Sequence, residues 1–519
     1  MSRHIIKKGI SGSVAVLLSR MMGLIRDIMV ARFVGGGASM SAWVLAFRIP
    51  NTFRRFLGEG AATQALIPML GDIIKNRGME EGRKSFGTIL ATIALVLGVI
   101  AVIIAVISLS LQPYFHVYRV NAALGLMPIL MPYTLFICLT GICAGILNLF
   151  EHYFLPAMTS IVMNIAIIAA VVIYCNSSTE ILINRMSWAV LISGVFQLGL
   201  LMYLLHKIDA FPRRFIPSTW RNPVIKEFIT LAIPGFIGAA AMQINTLVDS
   251  FIAVYLGDYA APALYFSERL IYLPIGIFAV SLGNACLVAM SKNAAENKIL
   301  ELIGNLIYGL KQMIFISIPI ALFLLFFRLP ILSLIYRGDR FGVKSLDETA
   351  WAMLFYCLGI PAFCMLKIIV SAYYSRKEMK TPVKVALFCV ILNLVLNLIL
   401  MYPLRQGGIA LATVISSFVN CFILLFLLRK LGSEAKAKIT VLVSLVKTLI
   451  SGFLAIAISL YLYNLCHKIT FIINIDWRGL VSLCIAGLVF CIGFFVINLI
   501  LKSSDQKEWL SLIKEKLYK

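Results

Sequence analysis

The chain of 519 residues has little charge and very little acid. Charged residues make up 13% of it, and its 23 Asp and Glu are outnumbered by 46 Lys and Arg. Hydrophobic residues reach 61%, and the mean hydropathy is +0.96. This composition excludes a soluble protein with a large core and indicates an integral membrane protein. Its apolar runs have the length of membrane helices rather than of barrel strands.

Motifs for enzymatic chemistry and for metal binding are also lacking. There is no GxSxG, Walker loop, HExxH or DDxxD segment, and none of the five histidines has an HxxxH neighbour. The eleven cysteines show no CxxC spacing and mostly lie in apolar segments, as small core residues do. A membrane enzyme acting on polyprenyl phosphates would need a catalytic carboxylate or metal cluster. We therefore expect a transporter, not an enzyme, with no required cofactor.

Apolar windows of about 20 residues predict fourteen transmembrane helices. The fold class is an all-α polytopic membrane protein with two pseudo-symmetric six-helix lobes and two C-terminal helices. The predicted spans start near Ile10, Ser41, Phe86, Leu124, Pro156, Met186, Glu227, Pro262, Asn305, Ala350, Lys384, Gly408, Val441 and Gly479.

The predicted boundaries follow the loops. They are 1–206 for the N-terminal lobe, 207–227 for an amphipathic cytoplasmic linker, 228–430 for the C-terminal lobe, 431–502 for the last two spans and 503–519 for an interfacial tail. A weak repeat agrees with two parallel lobes. Asp27 precedes Arg48 by 21 residues, and Asp249 precedes Arg269 by 20.

Basic residues in the loops predict the orientation. One set of alternate loops carries about three times as many Lys and Arg as the other, which places both termini in the cytoplasm. Arg20 interrupts the first apolar run, and no small-residue cleavage site follows, so we expect a retained first helix. A net charge of +23 distributed this way indicates topology, and we expect no nucleic acid partner.

Ionisable residues are concentrated in the first two spans. An ionisable group at the bilayer centre costs about 2.5–3.5 kcal/mol on insertion scales, so such side chains are expected to face one another or water. Arg20 and Asp27 share a helix face, with Arg26 about 100° away from Asp27. The set is Arg20, Arg26, Asp27, Arg48, Arg54, Arg55 and Glu59.

Two readings of these arginines are open. Arg55 and Glu59 can pair at i,i+4, whereas Arg48 and Arg54 have no local acid, and Pro50 interrupts the helix between these sites. The arginines can be anchors and internal ion pairs, or they can line a cationic cavity that holds phosphate oxygens in planar forks. The shortage of acids favours the cavity. We expect Glu268, Arg269 and Lys367 on its opposing wall, although Lys367 alone could equally snorkel.

A second polar set lies in the second half of the chain. Asp249, Asn393, Asn397 and Thr413 bear oxygen at membrane depth. They could bind Na⁺, or the amides and hydroxyl could simply form hydrogen bonds between helices, which is the commoner role.

Several motifs resemble the MurJ/MviN family of lipid II flippases. They are SRxxGxxRD from Ser19 to Asp27, FRIPN from Phe47 to Asn51, RRxxxEGA from Arg54 to Ala61, and YSR with KTPVK between Tyr374 and Lys384. The resemblance covers essentially the whole chain. It implies the fold of multidrug/oligosaccharidyl-lipid/polysaccharide exporters, in which the last two helices form a groove for a lipid tail.

The resemblance also implies a function. The substrate would be lipid II, the undecaprenyl-diphosphate-linked peptidoglycan precursor, moved from the cytoplasmic to the periplasmic leaflet of the bacterial inner membrane by alternating access. By motif position, the substrate-binding residues would be Arg20, Arg26, Asp27, Arg54, Arg269 and Asn164. We expect a monomer whose other partners are membrane lipids.

Coupling is open between Na⁺, protons and membrane potential. The resemblance extends to a Na⁺ site at Asp249, Asn393, Asn397 and Thr413, with Asn397 replacing an acid. Ser41 stands where some members carry an acidic residue. Another polyprenyl-diphosphate-linked oligosaccharide is the alternative cargo. A multidrug exporter would favour an acidic, aromatic cavity, which the arginines contradict.

Overall fold

The computed structural model describes residues 2–55, 61–428, 435–472, 478–506 and 508, and every regular element in these ranges is helical. The helices are α1 (Ser2–Val34), α2 (Ala38–Phe53), α3 (Ala61–Arg77), α4 (Met79–Leu111), α5 (Tyr118–Leu149), α6 (Phe154–Ile173), α7 (Thr179–Lys207), α8 (Pro223–Leu256), α9 (Ala260–Pro274), α10 (Val280–Ala295), α11 (Ile299–Phe326), α12 (Arg328–Tyr336), α13 (Val343–Ser375), α14 (Lys380–Leu404), α15 (Gln406–Leu428), α16 (Ala435–Ile472) and α17 (Arg478–Ile500).

The predicted all-α membrane architecture is confirmed. Among the described residues, eleven helical stretches are long and apolar enough to cross a bilayer. One of them runs from α9 into α10 through a turn of π-helix at Ile275–Ala279. The full number of fourteen spans stays a prediction, since α1, the α2–α3 pair and α8 are not among the eleven. These three carry many of the charged and polar residues discussed below.

The chain packs as two compact units. The first comprises Met1–Pro262 together with Gly338–Ser345, and the second comprises Ala263–Arg337 and Leu346–Lys519. Helix α8 belongs to the first unit because it packs against α2 and α3. The units therefore do not coincide with the predicted boundaries, and the two six-helix lobes stay a prediction.

A large apolar core holds the first unit together. It lies between α3, α4, α5 and α7 and extends to the start of α8. Leu66, Ile89, Ile142 and Leu201 have no exposed surface. Against this scaffold α2 packs on α5, and α1 packs on α6 and α7, so the charged helices α1 and α2 have fixed neighbours.

The predicted linker lies along α4. Thr92 Oγ1 accepts a hydrogen bond from the backbone N–H of Ser218 at 3.0 Å. Gly87 allows the close approach, because a Cβ there would lie 2.3 Å from the carbonyl oxygen of Arg214. The last residues of the predicted linker already belong to α8. Ile216 and Trp220 are exposed, so the linker presents large apolar side chains to its surroundings.

A buried polar cluster closes one end of the second unit. Lys311 on α11 forms an ion pair with Asp505 at 2.9 Å, and both side chains are nearly inaccessible. Ser444 on α16 donates to the same carboxylate, and Gln312 donates to Glu508 at 2.7 Å. The ion pair holds Asp505 inside the second unit, and the interfacial tail as a whole stays a prediction. Residue 507 and residues 509–519 of the predicted tail lie outside the described residues.

Candidate functional site

Arg26 is the most enclosed arginine of the predicted set. It lies on α1 with 4% of its surface exposed, next to Asp27 with 2% exposed. Its Nε and Nη2 donate to Oδ1 of Asp27 at 3.0 and 2.8 Å, and its Nη1 donates to Oδ1 of Asn164 on α6 at 2.9 Å. Asn164 in turn donates to the carbonyl oxygen of Ser19 at 3.3 Å. These bonds hold the guanidinium in one plane between two helices.

Asp27 pairs with Arg26 rather than with Arg20. The helix geometry allows an Arg20–Asp27 pair on one face while Arg26 turns toward a neighbouring helix. Arg26 does reach the neighbouring helix α6 through Asn164, but it also folds back onto Asp27, its neighbour in the sequence. Arg20 is exposed and forms no hydrogen bond or ion pair with the described part of the chain. A side chain with four rotatable bonds can overcome the 100° offset between adjacent Cα atoms, which backbone geometry alone does not show.

Arg48 on α2 and Arg54, the residue that follows α2, both donate to neutral oxygens. Arg48 donates from Nε to the hydroxyl of Ser250 on α8 at 2.8 Å, and Arg54 donates to Oδ1 of Asn51 at 3.0 Å. The helix continues through Pro50 and ends at Phe53. Both of these bonds end on neutral oxygens, and the cationic cavity stays a prediction.

Two further predicted residues of this region are Glu59 and Ser41, and the structure describes only Ser41. Glu59, the expected partner of Arg55, lies outside the described residues, so that pair stays a prediction. Ser41 is fully buried in α2, and its hydroxyl has no hydrogen-bond partner in the part of the chain that the structure describes. A buried hydroxyl without a partner is unfavourable. The hydroxyl of Ser41 therefore contributes no hydrogen bond to the fold in the described part of the chain.

Asn164 offers the first prediction. We expect Asn164→Ala to lower transport about tenfold, because removing one hydrogen bond to a charged group costs roughly 1.5–3 kcal/mol and releases the Arg26 plane. Asn164→Asp keeps the acceptor and should retain more activity than Asn164→Ala. Transport assays on purified variants at equal folded amounts would measure both. Equal activity of Asn164→Ala and the parent would show that the orientation of Arg26 does not matter.

The predicted residues of the second unit form separate contacts there. The Arg269 guanidinium lies over the Tyr265 ring at 4.8 Å, and its Nη2 donates to the Tyr265 hydroxyl at 3.3 Å. Tyr356 donates to Oε1 of Glu268 at 3.3 Å. Lys367 on α13 is exposed. The aromatic rings beside Arg269 and Glu268 were not foreseen, although Tyr265 lies one helical turn before Arg269.

The predicted Na⁺ ligands are divided between the units. In the second unit Asn397 donates to Oδ1 of Asn393 at 2.8 Å, and Asn393 donates to the Thr413 hydroxyl at 3.2 Å. In the first unit Asp249 accepts from Asn245 at 3.5 Å. The first three thus form the hydrogen-bonded chain that was the simpler reading. Within the described ranges no three His, Cys, Asp or Glu residues are grouped to hold a metal ion.

Sequence reasoning missed the neutral partners of the arginines. Ser250 and Asn51 orient Arg48 and Arg54, and the Ser19 carbonyl orients Asn164. Asn51 could have been found, because it lies three residues before Arg54 on a predicted helix. Ser250 is about 200 residues from Arg48 along the chain, and only the packing of α8 on α2 brings them together.

Comparison with solved structures defines the fold. A lipid II flippase MurJ in an inward closed conformation matches 95% of this chain and 99% of its own, with a TM-score of 0.73 and 24% identity. An inward-facing multidrug resistance MATE family transporter of the MOP superfamily matches 82% of this chain, with a TM-score of 0.65 and 15% identity. At these identities the likeness shows the fold alone. With charged side chains enclosed between its helices, the fold defines a multi-pass membrane protein. Its class as a transporter rather than an enzyme follows from its relatives in sequence.

Sequence comparison is more specific. The model of the lipid II flippase MurJ family matches residues 30–476, and the chain belongs to this family. A probable lipid II flippase MurJ of Vibrio cholerae is 30% identical over 439 residues, covering 82% of this chain and 83% of the relative. The lipid II flippase MurJ of Burkholderia cenocepacia is 27% identical over 476 residues, covering 89% of each. The resemblance predicted from the motifs is confirmed, and membership indicates a multi-pass inner membrane protein.

Proposed function

We propose that this protein is a lipid II flippase. It moves the undecaprenyl-diphosphate-linked peptidoglycan precursor from the cytoplasmic to the periplasmic leaflet by alternating access, with both of its termini in the cytoplasm. The observation that carries the proposal is the buried and oriented Arg26, in a chain that belongs to the lipid II flippase MurJ family. The relatives described above carry the names lipid II flippase or probable lipid II flippase.

The arginines of the first unit suit a diphosphate. A guanidinium presents its donors in a planar fork that matches phosphate oxygens, and it stays charged at every physiological pH. Asp27 and Asn164 fix the plane of the Arg26 guanidinium before any ligand arrives, which reduces the ordering cost of binding. We propose that Arg26 is the central contact with the diphosphate and that Arg20 and Arg54 complete it.

Charge balance supports an anionic cargo. Arginine outnumbers acid in the first two predicted spans, where Arg20, Arg26, Arg48, Arg54 and Arg55 stand against Asp27 and Glu59. A cationic drug would be repelled by this set, and an anionic lipid headgroup would be attracted. The role of Arg269 in binding stays a prediction from the resemblance.

The energy source is a second part of the proposal. Positive side chains at membrane depth make the protein sensitive to membrane potential, at about 2.3 kcal/mol per charge per 100 mV. Na⁺ coupling through Asp249, Asn393, Asn397 and Thr413 is the alternative. Transport into vesicles with an imposed potential, with and without Na⁺, separates the two. Na⁺ coupling predicts that Asn397→Leu removes the Na⁺ dependence.

The flippase function can be tested directly. Purified protein in vesicles with fluorescent lipid II on one leaflet should raise its transfer to the other leaflet well above that of protein-free vesicles. Depletion in a bacterium without a redundant flippase should remove lipid II from the outer leaflet. Persistence of outward lipid II after depletion would contradict the proposal. Transfer of another polyprenyl-diphosphate-linked oligosaccharide, but not of lipid II, would assign the alternative cargo.

A further inference from the structure

An eight-residue segment, Gly338–Ser345, belongs to the first unit although the chain before and after it belongs to the second. We call it the strap. It follows α12, and its last three residues form the first turn of α13. It packs in the first unit at the end of α1 and at the turn between α6 and α7. The loop charges predict that this end is periplasmic.

Arg340 fastens the strap. Its Nη1 donates to the carbonyl oxygen of Phe33 at 2.9 Å, and its Nη2 donates to the carbonyl oxygens of Ser177 and Cys175 at 2.7 and 3.3 Å. Phe33 lies in the last turn of α1, where a positive charge also interacts favourably with the helix dipole. One side chain thus joins the strap to two separate corners of the first unit. All three acceptors are backbone carbonyls, which water can satisfy equally well when the strap leaves.

Glycines on both surfaces allow the close fit. A Cβ on Gly35 would lie 2.3 Å from the carbonyl oxygen of Arg340, and Gly35 has a φ of +88° that favours glycine. A Cβ on Gly36 would lie 2.9 Å from Cβ of Ser345, and one on Gly338 would lie 3.0 Å from Cβ of Arg32. The segment is therefore seated in a matching surface.

The fit is close but not continuous. Phe341 is fully buried, yet a cavity of about 540 Å³ adjoins the strap and is lined by Ser39, Thr179 and the strap residues Asp339, Arg340 and Lys344. Lys344 lies over the Tyr259 ring at 4.6 Å and is otherwise exposed. The polar contacts of Arg340 and the adjoining cavity favour local opening, whereas the buried Phe341 ring is apolar surface that release of the strap has to expose.

We propose that the strap is a latch, held by Arg340, which must leave the first unit before cargo can leave the protein at this end. The proposal rests on the flippase function proposed above. Cargo release requires this end to open, and the chain passes through the first unit here on its way to α13. The contacts of Arg340 therefore have to break once in each transport cycle.

A reversible disulfide tests whether the strap has to move. In a Cys175→Ser background, Gly36→Cys and Ser345→Cys would bring two Cβ atoms to 2.9 Å, about 1 Å below the usual disulfide spacing, so a small adjustment closes the bond. We expect the oxidised protein to lose lipid II transport at least tenfold and to regain it on reduction. Transport at the parent rate with the disulfide fully formed would overturn the latch.

A second measurement needs neither substrate nor transport. Ser345 is 5% exposed, so a cysteine there should react slowly with a membrane-impermeant maleimide. We expect Arg340→Ala to raise the rate of this labelling at least tenfold. The labelling of the same protein without the introduced cysteine is subtracted as background. Arg337→Ala removes a charge from an exposed side chain just outside the strap and should leave the rate unchanged. Equal rates with and without Arg340 would also overturn the latch.

The two measurements distinguish a failure of the proposed flippase function from a failure of the latch. If the parent protein moves no lipid II, the flippase function fails, and the labelling rates still decide whether Arg340 holds the strap. If the parent moves lipid II and the oxidised variant does too, the latch alone fails.

Discussion

Transport of lipid II should fall at least about a hundredfold in Arg26→Ala. The variant loses a charge-assisted fork to the diphosphate, and two bonds of about 1.5–3 kcal/mol each correspond to a factor of this size or larger. Arg26→Lys keeps the charge, but an ammonium cannot reproduce the planar contacts with Asp27 and Asn164. It should recover only part of the activity. Initial rates in vesicles, corrected for folded protein, measure both variants.

The Arg26→Ala variant also breaks the ion pair with Asp27, so a loss of activity could reflect a loss of folding. A double variant removes this ambiguity. Removing Arg26 leaves Asp27 buried without its charged partner, at a cost of about 3–5 kcal/mol. The double variant Arg26→Ala, Asp27→Ala removes both charges and should remain folded while staying inactive. Lys75→Ala, at an exposed position on α3, is the matched control and should be nearly silent. If the folded double variant transported lipid II at the parent rate, Arg26 would not be part of the binding site.

The second large effect is on stability. Lys311→Ala should lower the unfolding free energy by about 3–5 kcal/mol, because it leaves Asp505 fully buried with its charge uncompensated. Asp505→Ala should cost less, because the Lys311 ammonium keeps an ion pair with Glu508 at 3.8 Å. The loss removes the ion pair that joins Asp505 to α11. Thermal unfolding of the detergent-solubilised protein is the measurement.

Two comparisons give this prediction its control. Lys298→Ala disrupts an exposed ion pair with Glu296 and should change stability by less than about 1 kcal/mol. Exchanging the buried charges, Lys311→Asp with Asp505→Lys, should recover part of the loss of either single variant. Unchanged unfolding of Lys311→Ala would mean that water reaches Asp505 and that the cluster does not anchor the chain end.

Much of the fold was predictable from composition and pattern. Apolar runs of helix length led to the all-α membrane architecture because an unpaired backbone cannot cross a bilayer. The boundaries of the two units could not be predicted from the sequence. Helix α8 joins the first unit through packing on α2 and α3, and the strap returns to that unit from a distance of about 80 residues. No local pattern encodes such contacts.

The arginines of the candidate site were visible in the sequence, whereas their hydrogen-bond partners were not. The surplus of arginine over acid on α1 and α2 follows from counting, since few acids exist to compensate it. The partner of Asp27 did not follow, because side-chain flexibility decided it against the helix angle. The ion pair of Lys311 with Asp505 was missed entirely, because the chain end was expected at the membrane surface.

The sequence by itself thus determined the membrane class, the helical architecture, the family and the excess of arginine over acid on the first two helices. These depend on composition, run length and motifs, which are local properties. The tertiary structure alone decided that Asn164 and Asp27 orient Arg26, that Ser250 orients Arg48, and that Arg340 fastens a distant segment to the end of α1. Each of these depends on which helices pack together, and packing energy is summed over many weak contacts that no short stretch of sequence contains.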